Sequence, residues 1–474
     1  MSGLGDDERR ALADAGQAHL ADRVDAASGE DRATLLRDIR GLDLPLVADL
    51  VRRFVLAREE TPHGGEIQPP EAIALPGSPE ERDAEAAAAA RGEEFLRAGR
   101  LALVLLAGGQ GSRLGFDGPK GRYPYGPVTG LTLFAQHAHR VQALRRRYGA
   151  ALPLYVLTSP ANDDDTRRAF AEAGHFGLDP DSVRFVVQGT LPAVDMTTGR
   201  ILLDDVGRLA LSPDGHGGLL MALRRSGALE RMRADGNTTF FTFQVDNPII
   251  RVANPAFIGH HLEADADMSN LAVRKHDPAE RVGVIARVDG RTAVVEYSDL
   301  SDELAALRAG DGRLALWAGN IATHLVEVAF ADRLTEGGLH LPFHRAVKRV
   351  PHVDAAGRRV EPDEPNAVKF ETFIFDALGQ ARHSVTVEVP REVDFSPIKN
   401  ADGSDSPETA RRDLNRLYAS WLEAAGVAVA RDADGEPLHD LEIDPRLALD
   451  ADELAARLPP GTTITGPTAL GPGD

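Results

Sequence analysis

The stretch "LALVLLAGGQGSRLGFDGPKG", residues 101–121, decides how the whole chain is read. Its first seven residues are continuously apolar, the pattern of a strand buried on both faces. Glycine then recurs at 108, 109, 111, 115, 118 and 121. A buried strand that runs into glycines brings bare backbone N–H groups against an anion, most often a phosphate. Two familiar fingerprints fail on spacing. Gly109, Gly111 and Gly115 give G-x-G-x-x-x-G rather than G-x-G-x-x-G, and residues 118–162 hold no Asp or Glu to meet a ribose. Lys120 lies between Pro119 and Gly121 instead of preceding Ser or Thr, so the Walker pattern is absent too. What remains is a phosphate-type loop carrying Arg113, whose fork chelates phosphate oxygens, and Lys120, a compact point charge.

Outward from this stretch, apolar β-type runs alternate with helical ones. "PLYVLTS" (153–159), "VRFVVQG" and "TTFFTFQVDN" read as strands, and "ANDDDTRRAFAEAG" as a helix opened by capping residues. Such alternation predicts a largely parallel sheet flanked by helices. After residue 270 the texture turns antiparallel, with "VGVIARVDGRTAVVEYS" a hairpin about the Asp289-Gly290 turn. Residues 7–59 show helical spacing, followed by the Pro/Gly-rich "TPHGGEIQPPEAIALPGSPEE", which reads as a linker. The tail "PPGTTITGPTALGPGD" reads as frayed. The expected division is a helical N-terminal region and linker over 1–90, a catalytic domain over 91–390 and a C-terminal domain over 391–474.

The bulk numbers narrow the partners. At 474 residues the chain exceeds one ordinary core. Its net charge of −20 is dispersed, with no basic stripe, so nucleic acid is not expected as a partner. Cysteine is absent, which excludes disulfides and thiolate metal sites. The acidic start lacks a signal peptide's apolar stretch, and no run approaches the roughly 18 apolar residues of a membrane span. A cytoplasmic protein is expected. Of 53 basic residues only Lys120, Lys275, Lys348, Lys369 and Lys399 are lysine. A lysine kept against so strong an arginine bias is a candidate for chemistry that needs an ammonium.

"LLAGGQGSRLG…PKG" resembles the signature of nucleotidyltransferases that join a nucleoside triphosphate to a sugar 1-phosphate. The resemblance is to the UDP-sugar pyrophosphorylase family, nearest its eukaryotic-type UDP-N-acetylhexosamine branch, and covers roughly residues 95–425. It recurs in order at "QGTLPA" (188–193), "PDGHGG" (213–218), "QVDN" (244–247), "VGVIARVDG" (282–290), "VVEYSDLS" (294–301), "AGNIATH" (318–324), "PNAVKFETFIFD" (365–376) and "FSPIKNADGSDSPETAR" (395–411). Each motif alone is weak; nine in order are strong. The fold this implies is a Rossmann-like, GT-A-like α/β nucleotidyltransferase with a mixed, mainly parallel sheet, a helical N-terminal region and a small C-terminal domain.

The implied reaction is attack of a sugar 1-phosphate on UTP, yielding a UDP-sugar and pyrophosphate by direct displacement with Mg²⁺. From the residues alone, Asp246 ends an apolar strand, where doubly wound sheets bind ligands and where a carboxylate suits Mg²⁺. The resemblance puts the family's metal-associated aspartate there. It also places Lys120 on the triphosphate and Lys399 at the reacting phosphates. Uridine is matched to the backbone at Leu106, Ala107, Gly108 and Gly109, to the Gln188 amide and to Gly215. The sugar is matched to Gly283, Glu296 and Asn320, with Phe373 and Phe375 as a wall. His216 departs from the family, which usually has asparagine there.

Other readings are weighed by the same residues. Phe373 and Phe375 are spaced as alternate residues on one strand face. The pairs His137/His139 and His260/His261 lack the partners of a zinc site, and "DADG" (432–435) is a turn without the remaining EF-hand ligands. A nicotinamide oxidoreductase conflicts with the glycine spacing. A non-catalytic sugar-nucleotide sensor on the same fold stays an alternative, since fold does not fix function; the presence of Lys120, Asp246 and Lys399 favours catalysis. N-acetylglucosamine 1-phosphate is the expected sugar substrate, with glucose 1-phosphate the alternative.

Overall fold

A computed structural model describes residues 3–59, 65–204, 208–354 and 357–473. The start of the predicted linker, residues 61–64, lies outside the described residues. The chain divides into two compact units. The larger comprises Gly65–Val187, Ala222–Gly338 and Ala377–Asp474; the smaller comprises Met1–Gly64, Gln188–Met221 and Leu339–Asp376.

The larger unit is built on a ten-stranded mixed sheet. Leu101–Leu106, buried along its full length, lies parallel between Leu154–Thr158 and Thr239–Gln244, and Val183–Val187 extends the parallel half. Ala318–Glu327 then runs antiparallel to Thr239–Gln244 and to Met268–Arg274. The predicted hairpin forms, Val284–Val288 pairing antiparallel with Arg291–Val295. The later half is not wholly antiparallel as its texture predicted, because Ser384–Glu388 returns parallel to Met268–Arg274.

Helices cover the sheet, and small residues set how closely. The 19-residue helix Pro79–Arg97, opened by a capping box from Ser78 and Glu81, crosses Pro255–Glu263. A Cβ on Gly92 would stand 1.9 Å from the Pro255 carbonyl oxygen, and one on Gly259 1.8 Å from that of Ala88. Of the alanine run only Ala88 is buried in this tight helix crossing; most of the run lies toward solvent. Helix Leu133–Tyr148 buries twelve residues, including His137 and Arg140, which reach the turn after strand Thr239–Gln244.

Two predicted loose segments are ordered. The linker supplies Ile67–Gln68 as an edge strand on Val288 and Arg287, and Ile73 bridges Val387. The tail is not frayed: Thr468–Leu470 pairs in parallel with Leu441–Ile443. Both segments are polar outside a few residues, so local periodicity hides pairing decided by distant partners.

In the smaller unit the helices Asp6–Asp14, His19–Ala26, Gly29–Arg40 and Leu44–Leu50 share a core with Leu191, Val194, Ile201, Val368 and Phe370. A three-stranded sheet, Phe343–Lys348 with Ala367–Thr372 and Val194–Asp195, forms its β part. No helix among the described residues is long and apolar enough to cross a membrane.

Candidate active site

At the end of strand Leu101–Leu106 the backbone of the next three residues is held from one side. Ala107 N–H donates to the Leu157 carbonyl at 2.9 Å, continuing the sheet by one residue. The carbonyls of Ala107, Gly108 and Gly109 accept from Asn162 Nδ2 (2.9 Å), Ser159 Oγ (2.8 Å) and Asn162 Nδ2 (3.2 Å). The N–H groups of Gly108, Gly109 and Gln110 meet no protein acceptor among the described residues. Three successive unmet donors make an anion- and acceptor-binding row.

The loop then folds back on itself. Gln110 bridges Pro119, Gly111 N–H donates to the Gly118 carbonyl at 2.8 Å, and Lys120 N–H donates to the Gly109 carbonyl at 3.1 Å. Lys120 thus returns beside Gly109, eleven residues earlier in the chain. Gly121 must be glycine, since a Cβ there would fall 2.2 Å from the Phe134 ring. Arg113 sits exposed in the short helix Ser112–Leu114 at the hook's tip.

Lys120 Nζ lies 3.0 Å from Asp246 Oδ2, with both side chains mostly enclosed. Asp246 follows strand Thr239–Gln244 in a turn pinned on several sides. The Val245 carbonyl accepts from His137 Nε2 at 3.1 Å, and the Pro248 carbonyl from Arg140 Nη2 at 2.8 Å. Burial drives the His137 pKa down to about 3, so its ring is neutral and donates. Ile398 N–H donates to the Asp246 carbonyl at 2.8 Å, and Asn247 links the Asp394 carbonyl (2.7 Å) to the Ser396 N–H (3.1 Å). Asn247, at the end of the stretch read from sequence as a strand, is the rivet between "QVDN" and "DFSPIKN". Nothing local marks it, because its partners lie about 150 residues away.

Lys399 follows at once. Its Nζ is 3.3 Å from Asp405 Oδ2 and 5.4 Å from the Phe395 ring centre. It shares with Arg113 the lining of a cleft of about 1070 Å³ in this unit. The predicted sugar residues Gly283, Glu296 and Asn320 come together with one another in the same unit. Asn320 N–H donates to the Gly283 carbonyl at 2.8 Å, and a Cβ on Gly283 would meet Glu296 Oε1 at 3.2 Å. The strand shifts register between Asn320 and His324, with Ala322 at φ 53° and its N–H held by Asn320 Oδ1 at 3.0 Å. A bulge of this kind re-aims side chains.

Gln188, Gly215, His216, Phe373 and Phe375 belong to the smaller unit. Gln188 is buried, its amide nitrogen 3.4 Å from both Asp214 Oδ1 and the Gly215 carbonyl. Gly215 has φ +85°, and a Cβ there would lie 2.3 Å from the Thr372 carbonyl oxygen. Phe373 and Phe375 lie beyond the end of strand Ala367–Thr372, so the one-strand-face spacing does not describe them. Their rings stack at 5.0 Å with 28° between planes, and His344 lies 4.6 Å from Phe373. His216 packs 5.2 Å from Phe373 and accepts the Ile374 N–H at Nδ1, 3.1 Å away. Burial and the neighbouring His344 lower its pKa to about 4. It is therefore a neutral ring with its proton on Nε2: a fixed donor, as an asparagine amide nitrogen would be.

The four histidines weighed for zinc are engaged individually: His137 as above, His139 with Asp444, His260 with Glu85, and His261 with Ser269 and Glu327. Among the described residues no group of three or more His, Asp and Glu side chains converges as a metal site. Mg²⁺ does not need one. It keeps several waters and shares phosphate oxygens, so the single Asp246 carboxylate beside a phosphate loop fits its chemistry. Pyrophosphorylases of this kind generally use a divalent metal.

Residues 52–405 match the model of the UTP–glucose-1-phosphate uridylyltransferase family. The chain is 38% identical over 454 residues to UDP-N-acetylhexosamine pyrophosphorylase-like protein 1 of Homo sapiens, covering 92% of this chain and 88% of that one. It is 35% identical over 439 residues to the UDP-N-acetylglucosamine pyrophosphorylase of Saccharomyces cerevisiae, covering 89% and 92%. The solved UDP-N-acetylglucosamine pyrophosphorylase of Trypanosoma brucei superposes with a TM-score of 0.78 at 26% identity, covering 97% and 96%. A nucleotidyltransferase fold, a hooked glycine loop with three unmet N–H groups, and a family match across three quarters of the length lead to one conclusion: the chain belongs to the UTP–glucose-1-phosphate uridylyltransferase family of UDP-sugar pyrophosphorylases.

Proposed function

We propose that this enzyme transfers the uridylyl group of UTP to N-acetylglucosamine 1-phosphate and releases pyrophosphate. The row of unmet N–H groups at Gly108–Gln110, with Lys120 folded back beside it, carries the nucleotide reading. Relatives named for UDP-N-acetylglucosamine, similar over about nine tenths of the chain, favour that sugar.

In the reaction an oxygen of the sugar phosphate forms a bond to the α-phosphorus of UTP as the α–β bridging bond breaks, its electron pair leaving with pyrophosphate. Such a displacement needs in-line positioning and charge neutralisation more than covalent help. Lys120 turns from Asp246 to the triphosphate, and Lys399, on its tethered segment, faces the charge that gathers at the reacting phosphates. Arg113 meets the departing pyrophosphate from the hook's tip. Mg²⁺ held by Asp246 would supply further neutralisation of the triphosphate. Gln188, Gly215 and the His216 Nε2–H offer uncharged contacts to uridine or sugar oxygens. Glu296 and Asn320 suit sugar hydroxyls, and the Phe373–Phe375 stack suits an apolar ring or acetyl face.

A pyrophosphate-release assay across nucleoside triphosphates and sugar 1-phosphates tests this. UTP with N-acetylglucosamine 1-phosphate should give the highest kcat/KM. Glucose 1-phosphate ahead by tenfold, about 1.4 kcal/mol of transition-state preference, would overturn the sugar assignment.

A further inference from the structure

Ser159 and Asn162 lie outside every motif that carries the family resemblance, yet between them they hold three consecutive carbonyls of the nucleotide loop. Asn162 is almost fully buried, at 1% exposure, and stands at the N-cap of helix Asp163–Glu172. An asparagine at that position ordinarily accepts an N–H of the helix's first turn. Asn162 makes no such bond. Its Oδ1 accepts the Ser159 N–H at 2.9 Å and lies 3.2 Å from Ser159 Oγ, while its two amide hydrogens go to the carbonyls of Ala107 and Gly109. Ser159 Oγ takes the carbonyl between them, that of Gly108. The predicted capping is thus replaced by a non-local contact more than fifty residues back along the chain.

The consequence follows from the geometry of a trans peptide. In each planar unit the carbonyl of one residue and the N–H of the next point to opposite sides. Fixing the oxygens of residues 107, 108 and 109 toward Ser159 and Asn162 therefore turns the N–H groups of 108, 109 and 110 away from them. Those are the three donors left without an acceptor. Glycines at 108 and 109 leave this backbone free to adopt many conformations, so something else must select one.

We infer that Asn162, assisted by Ser159, is a positioning residue for nucleotide binding: it orients the Gly108–Gln110 donor row without touching the ligand. The inference rests on the reading of this loop as the UTP site.

Asn162→Asp separates this role from helix capping, because aspartate caps as well as asparagine but cannot donate to the Ala107 and Gly109 carbonyls. The expected result is a dissociation constant for MgUTP, measured by calorimetry on the folded enzyme, raised roughly tenfold or more. The KM for the sugar 1-phosphate at saturating UTP should stay within about twofold of wild type. Ser159→Ala removes the hydroxyl's contacts with the Gly108 carbonyl and Asn162 Oδ1, leaves the two Asn162 donations in place, and should weaken MgUTP roughly threefold; it decides the question if the aspartate variant does not fold. A helix-capping or purely structural role would shift the melting temperature and leave the folded enzyme's MgUTP affinity unchanged. Wild-type MgUTP affinity in folded Asn162→Asp, or in Ser159→Ala where the former does not fold, overturns the inference alone. Failure of the wild-type enzyme to bind MgUTP overturns the reading beneath it as well.

Discussion

Two glycine-rich turns in this chain, 108–121 and 213–218, look alike in sequence and use glycine for opposite ends. In the first, a Cβ on Gly109 would meet nothing within 4 Å, and the backbone donors nearby are open. In the second, Cβ atoms on Gly215, Gly217 and Gly218 would collide with Thr372, Phe373 and Asp214, the nearest at 2.0 Å. Thr372 N–H donates to the Asp214 carbonyl and Gly217 N–H to that of Thr372, both at 2.8 Å, so the turn is sewn to the end of a strand. In the first turn Gly109 leaves backbone donors open, although Gly111 and Gly121 are close-packed against Phe116 and Phe134. The second turn's glycines let two pieces of backbone approach so that His216, Phe373 and Phe375 share one cluster. Composition does not distinguish them; neighbours distant in sequence do.

The largest expected effect tests the open loop. Asp246→Asn, Lys120→Arg and Lys399→Arg should each lower kcat by roughly 10²–10³ while melting stays near wild type, as loss of a preorganised charge contact does. The arginine changes fail because a fork cannot replace a point charge. Wild-type turnover in both lysine variants, or in the asparagine variant at limiting Mg²⁺, would remove these residues from the chemistry.

Next comes the glycine contrast itself. Gly215→Ala imposes a left-handed conformation on an L-residue and a close contact with Thr372, and should cost roughly 2–4 kcal/mol in urea unfolding. Gly109→Ala should leave stability within about 0.5 kcal/mol yet weaken UTP binding, since the added methyl stands on the ligand loop. If both variants lose stability equally, the two turns do not differ in the way proposed.

The smallest effect concerns pH. Burial holds the His216 pKa at about 4 against an ordinary 6.5. The unfolded chain therefore binds this proton first, so the stability it contributes is whole above pH 6.5 and is lost as pH falls toward 4. His137, lowered to about 3, adds to the same decline. His216→Asn should make the loss between pH 6.5 and 4 shallower without abolishing it. Denaturation midpoints at pH 7, 5.5 and 4.5 read this directly, and an unchanged slope would refute the neutral ring.

Much was legible in order along the chain. The apolar run 101–107, the glycines after it, Asp246 at a strand's end and the Asp289-Gly290 hairpin are local patterns, and a local pattern reports which face of an element is buried. The arginine bias nominated five lysines, and the family resemblance picked Lys120 and Lys399 among them. What local pattern cannot report is which distant segment supplies the partner. Ile67–Gln68 and Thr468–Leu470 read as loose because their stabilising strands lie elsewhere in the sequence. Phe373 and Phe375 kept a strand's spacing just past the strand's end.

The sequence by itself determined the fold class and the reaction family, because chain order and hydrophobic period are written in it; it also named the charged groups proposed for the chemistry. The tertiary structure alone decided that residues 1–64, 188–221 and 339–376 form one unit, that Asn247 ties two motifs together, and that Asn162 turns from its own helix to hold Ala107 and Gly109. The reason is physical: a buried polar group must find its partner somewhere, and which partner it finds is settled only when packing brings remote segments within about 3 Å of each other.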